Sequence, residues 1–103
     1  MKYSKIIAQI PENSLENMML EINKSMTSLN EKYDFSFTYS QVIGVWRPLK
    51  NAKPFLGQIN EIERNEEIKL EITVRETEIK QILKIIKNHH PYDTILCICV
   101  MHW

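Results

Sequence analysis

The sequence predicts an α+β chain: a ferredoxin-like βαββαβ sandwich, with two helices on one face of a four-stranded antiparallel sheet. Three observations carry this. Apolar and polar residues alternate over 3–10, 33–39 and 67–75, which is the period of half-buried strands. Apolar residues recur at helical spacing after the first and third of these segments. The elements then fall in the order strand, helix, strand, strand, helix, strand within 103 residues. That length accommodates one domain, residues 1–103.

In the first strand, residues 3–10, Ser4, Ile6, Ala8 and Ile10 lie on one side and Lys5 and Gln9 on the other, with Ile7 the exception. Pro11 lacks a ladder donor and ends it. Ser14 is the expected N-cap of the first helix. Its stripe runs Leu15, Met18, Met19, Ile22, Met26 and Leu29, with Glu16, Glu21 and Lys24 facing water. Tyr33, Phe35, Phe37 and Tyr39 alternate with Asp34, Ser36 and Thr38, which predicts an aromatic-faced second strand. Val42–Trp46 continues it after a bulge or turn at Ser40-Gln41.

Residues 47–57 contain two prolines and a glycine and are expected as an ordered loop. In the next strand, Glu67–Arg75, Ile68, Leu70, Ile72 and Val74 oppose Glu67, Lys69, Glu71, Thr73 and Arg75. Glu66 and Glu67, beside Arg64 and Lys69, read as a solvated charged edge. The second helix carries Ile79, Ile82, Leu83 and Ile86, and stops at His90 because the residue before Pro91 avoids the α region. The last strand, Ile95–Met101, is apolar on both faces. Right-handed crossovers give the order 4-1-3-2, with that strand at an edge. An edge apolar on both sides is an aggregation hazard for a monomer, so self-association, as a trimer or a dimer, is expected.

Thirteen Lys+Arg balance thirteen Asp+Glu, and 44% of the residues are apolar. This composition excludes a disordered chain and lacks the excess of positive charge that a nucleic-acid binder requires. No apolar run approaches the roughly 20 residues of a membrane span. The start, MKYSKII, has no signal-peptide core. Two cysteines, Cys97 and Cys99, are too few and too close for a secreted disulfide framework, so a reducing cytoplasm is the expected setting.

Two constellations could carry chemistry. Arg47, Lys50 and Lys53 lie within seven positions, flanked by Trp46 and Phe55, and no acid occurs between Asp34 and Glu61. An arginine fork and a stacking ring suit an anion or a nucleotide phosphate. The same residues also fit a loop whose lysines serve solubility while Trp46 and Phe55 fill the core or an interface. The second constellation is Cys97, Cys99 and His102, with His89 and His90 near in sequence. Cys-x-Cys on a strand spaces its sulfurs about 7 Å apart, long for one tetrahedral zinc. Buried apolar cysteines are the competing reading. Neither a Gly-x-Ser-x-Gly elbow, nor a P-loop, nor a His-Glu-x-x-His helix occurs, so no enzyme and no cofactor are expected.

Gly44-Val45-Trp46-Arg47-Pro48-Leu49, Asn51-Ala52-Lys53-Pro54-Phe55-Leu56-Gly57, the strand from Glu66 to Val74, and His90-Pro91-Tyr92-Asp93 together resemble one known module. It is the PII/CutA-like domain inserted in the Nif-three-like proteins, known also as GTP cyclohydrolase type 2 homologues. Tyr33–Phe37 fits as well, and the likeness spans residue 3 to about 96. His-Pro-Tyr followed by an acid is similar to a turn of the CutA divalent-cation-tolerance proteins. The resemblance implies a ferredoxin-like fold that associates through its sheets, typically as trimers. It implies no catalytic or metal residue, because the dinuclear site of the larger proteins is built by their flanking domain. After Asp93 the family continues with a tyrosine-acid pair where this chain has Cys97-Ile98. The expected function is a small oligomeric regulatory or ligand-binding module, its site lined by Trp46, Arg47, Lys50, Lys53, His90, Tyr92 and Asp93. The alternatives are cation binding through Cys97, Cys99, His102 or His89, and a structural interaction protein.

Overall fold

In the computed structural model, residues 3–26, 32–53, 57–90 and 98–102 are described, the last five by their backbone. Strand β1 is Tyr3–Pro11, helix α1 Leu15–Ser25, strand β2 Phe37–Trp46, strand β3 Glu63–Arg75, helix α2 Ile79–His89 and strand β4 Ile98–His102. All pairings are antiparallel, in the order β2-β3-β1-β4. Three long strands make the body of the sheet, and the five-residue β4 lies against β1. No helix among the described residues is long and apolar enough to cross a membrane.

The strand alternation places one face of each central strand in the core. Ser4, Ile6, Ala8 and Ile10 of β1 and Ile68, Leu70, Ile72 and Val74 of β3 are buried. Leu15, Met18 and Ile22 of α1 and Ile82 and Ile86 of α2 are buried with them. Each such aliphatic side chain stabilises the fold by roughly 1.5–3 kcal/mol relative to exposure. Both helices contribute through one stripe apiece, so among the described residues the opposite sheet face carries no helix. Lys5 and Glu71 pair on that face at 3.4 Å.

Local chemistry moves several boundaries from those read in the sequence. Helix α1 begins after a 3-10 turn, Glu12–Ser14, and the Ser14 side chain makes no capping bond. It ends at Ser25, because Met26 is extended (φ −96°, ψ 147°), so Met26 is not a helical residue; Leu29 lies outside the described residues. Strand β2 starts at Phe37 rather than Tyr33. The Phe35 amide donates to Asn23 Oδ1 at 2.9 Å, and Phe35 has φ 51°, a left-handed conformation that cannot continue a strand. Asn23 also donates to Asp34 Oδ2. Helix α1 therefore takes the Phe35 donor that a longer β2 would have used. No bulge occurs at Ser40-Gln41, since the β2–β3 register is unbroken from Phe37↔Ile72 to Trp46↔Glu63.

Strand β3 begins at Glu63, four residues before its hydrophobic alternation. Residues 43–46 and 63–66 pair with each other beyond the end of β1, whose last pair is Pro11↔Glu67. They form a two-stranded arm, and the molecule reaches 47 × 22 × 21 Å. Helix α2 stops at His89 with an extended His90, as the following proline requires.

Candidate functional site

The arm and the end of α2 leave the sheet at the same end. Strand β1 reaches it at Pro11, β3 starts from it near Glu67, and α2 returns to it at His90. The junction centres on Gln9. His90 Nε2 donates to the Gln9 carbonyl at 2.9 Å, which fixes the proton on that ring nitrogen. His90 is 8% exposed. On the helix-free face, the Gln9 side chain reaches across β3 to Gly44 of β2. A Cβ at Gly44 would stand 2.7 Å from Gln9 Nε2, 2.9 Å from Glu67 Cγ and 3.2 Å from Glu67 Oε1. Only a residue without a side chain permits this approach.

Gln9 and Gly44 close over Glu67, which is 2% exposed although it lies on the face without helices. The solvated edge expected for Glu66 and Glu67 therefore holds only for Glu66. A buried carboxylate requires hydrogen-bond donors, and Asn65 Nδ2 supplies one to Glu67 Oε2 at 3.4 Å. No buried side-chain nitrogen or oxygen among the described residues lacks a partner.

The arm carries the other residues singled out in the sequence. Trp46 is the half-buried last residue of β2, opposite Glu63. Arg47, Lys50 and Lys53 are all exposed. The backbone bonds that hold their loop include Ala52 N–H to the Leu49 carbonyl at 2.9 Å and Asn60 N–H to the Pro48 carbonyl at 2.6 Å. Phe55, Tyr92 and Asp93 lie outside the described residues. The arm also exposes apolar side chains, Ile43 at 62% and Val45 at 59%.

His89 and His90 part company. His89 Nε2 faces Glu21 Oε2 of α1 at 3.9 Å, while His90 turns to β1. They do not form one ligand pair. Cys97 lies outside the described residues, and the β4 backbone puts Cys99 opposite Ile7 and His102 opposite Ser4. Among the described residues no group of three His, Cys, Asp or Glu is arranged to hold a metal ion. Sequence reading missed Gln9 and Glu67. The available signal was Gly44, one of only two glycines, standing inside a strand where a close approach is the usual reason for it.

No family model matches the chain. It is 30% identical over 92 residues to a GTP cyclohydrolase 1 type 2 homolog of Staphylococcus epidermidis, covering 89% of this chain and 25% of that protein. The chain thus spans about a quarter of the length of the curated relatives it matches. Among solved structures it is similar to a Bacillus cereus protein related to NIF3 (TM-score 0.77, 16% identity, 99% of this chain and 26% of that one). It is also similar to CutA, the periplasmic divalent cation tolerance protein of Archaeoglobus fulgidus (TM-score 0.68, 14% identity, 96% and 81%). Bacillus subtilis GlnK matches it at TM-score 0.64 and 19% identity over 100% and 86% of the two chains, and GlnK has also been solved in complex with ATP.

The fold and these likenesses define the class: an α+β module of the PII/CutA type. Within that class, the chain is similar to the PII/CutA-like domain of the Nif3-like proteins, as the motifs from Gly44 to Asp93 imply.

Proposed function

We propose that the chain is a non-enzymatic, self-associating ligand-binding module of the PII/CutA type, whose ligand is an anionic metabolite. The 44–57 loop and the 90–93 turn bind it together, within a reducing cytoplasm. The observation that carries this reading is the junction at Gln9, which roots the arm and the end of α2 at one point of the sheet. Arg47, Lys50 and Lys53 project from that arm into solvent, where a guanidinium fork and two ammonium groups can take up phosphate oxygens. GlnK, a neighbour in fold, has been solved with ATP, which makes a nucleotide phosphate the first ligand to try.

Ligand binding orders the loop through Arg47, Lys50 and Lys53 and changes the surface the module shows to a partner. Exposed Ile43 and Val45, and edge strands at both sides of the sheet, favour contact with further copies of the chain. The test is a thermal-shift screen with ATP, other nucleotides and phosphorylated metabolites. A ligand at a hundred times its dissociation constant adds about 2.7 kcal/mol of stability, which raises Tm by several degrees in a chain of this size. The Arg47→Glu, Lys50→Glu, Lys53→Glu triple variant is expected to keep its own Tm and lose that rise. Stabilisation by none of these compounds, or equal stabilisation of the triple variant, overturns the reading.

A further inference from the structure

Gln9 occupies a position that the ligand-binding reading does not itself use. By register it is opposite Lys69 of β3, and it adjoins Ala8↔Ile98, the pair at which β4 begins. Its side-chain amide reaches the base of the arm at Gly44, above the buried carboxylate of Glu67. Its main-chain carbonyl accepts the hydrogen bond from His90, where α2 ends. One residue thus contacts the arm through its side chain and the end of α2 through its backbone.

We infer that Gln9 is a positioning residue that couples the arm to the end of α2, so that a displacement of the arm at Gly44 is felt at His90. The inference rests on the ligand-binding reading for its purpose, which is to carry the state of the arm to the edge of the sheet where β4 pairs. Its physical basis is the closeness of the contact. An arm shifted toward β1 must move the Gln9 amide, because no space remains between them. The backbone of Gln9 is held on its β3 side by the ladder, and on the other side it carries the imidazole of His90.

The two contacts can be separated by mutation. Gln9→Ala removes the amide and leaves the carbonyl that His90 uses. Gly44→Ala pushes a methyl group into the amide. The readout is the imidazole Cε1–H resonance of His90 in the full-length protein, identified among the three histidines by its loss in His90→Gln. Gly44→Ala is expected to displace this resonance when Gln9 is present and to leave it in place in the Gln9→Ala background. A resonance that Gly44→Ala does not move, or moves equally in both backgrounds, overturns the inference. Should Gly44→Ala fail to fold, it is combined with Glu67→Asp, which shortens the side chain under the new methyl group and leaves that group's contact with the Gln9 amide, and the pair is read against Glu67→Asp alone in the same two backgrounds with the same criteria. No ligand is added, so this experiment and the ligand screen fail independently.

Discussion

Gly44 and Glu67 are packed so closely that a methyl group cannot be placed between them: a Cβ on Gly44 would stand 2.9 Å from Glu67 Cγ. The two residues sit on neighbouring strands, two pairs apart along the β2–β3 ladder, where Gly44 opposes Asn65 and Glu67 opposes Val42. Gly44→Ala is therefore an overpacking substitution. It is expected to cost about 1–3 kcal/mol, read as a lower urea midpoint at unchanged slope. Gain of stability through a stiffer unfolded chain, about 0.4–1 kcal/mol where alanine fits, is too small to reverse the sign. A midpoint equal to or above that of the parent would show that the arm moves aside freely.

Shortening the opposing side chain should make room for that methyl group. Glu67→Ala alone loses a buried carboxylate and its bond from Asn65, and is expected to be destabilising. Combined with Gly44→Ala, the loss should be smaller than the sum of the two by at least about 0.5 kcal/mol, as for residues in direct contact. Strict additivity in urea denaturation would mean that the methyl group is accommodated elsewhere.

Much of this arrangement was legible in the sequence because it rests on period. Ile6, Ala8 and Ile10, and Ile68, Leu70, Ile72 and Val74, follow the two-residue repeat of a strand with one buried face, and all are buried. His90 marks the end of α2 because proline restricts the residue before it. What failed to show were contacts between residues far apart in the chain. The Asn23 side chain sets the start of β2 by taking the Phe35 amide, twelve positions away. Glu67 looks solvated in sequence, since its neighbours are charged and it alternates with apolar residues. The close approach of Gly44 and the Gln9 side chain covers it. The basic loop was visible as a charge asymmetry, whereas the residue that joins its base to α2, Gln9, has no sequence signature.

Ser14 provides a test in which nothing should happen. A serine before a hydrophobic stripe is worth about 1 kcal/mol where its hydroxyl caps the helix. Here Ser14 has helical angles (φ −93°, ψ −9°) and its side chain makes no capping bond. Ser14→Ala is accordingly expected to leave stability within about 0.5 kcal/mol of the parent by chemical denaturation. A loss near 1 kcal/mol would show that the hydroxyl caps α1 in solution after all.

The arm separates folding from association. Ile43 and Val45 lie on one face of β2, opposite Glu66 and Arg64, beyond the part of the sheet that the helices cover, and both are more than half exposed. Replacing them removes little buried apolar surface from the chain itself, so Ile43→Ser with Val45→Ser should change the free energy of unfolding at low protein concentration by no more than about 1 kcal/mol. If this face is buried between copies, the same change removes two apolar contacts from every interface and exchanges them for hydroxyls that must be desolvated. Multi-angle light scattering is expected to give a multiple of the chain mass for the parent and a smaller mass for the double variant. An unchanged oligomer in the variant would place the interface away from the arm, and a monomeric parent would remove self-association from the proposed function.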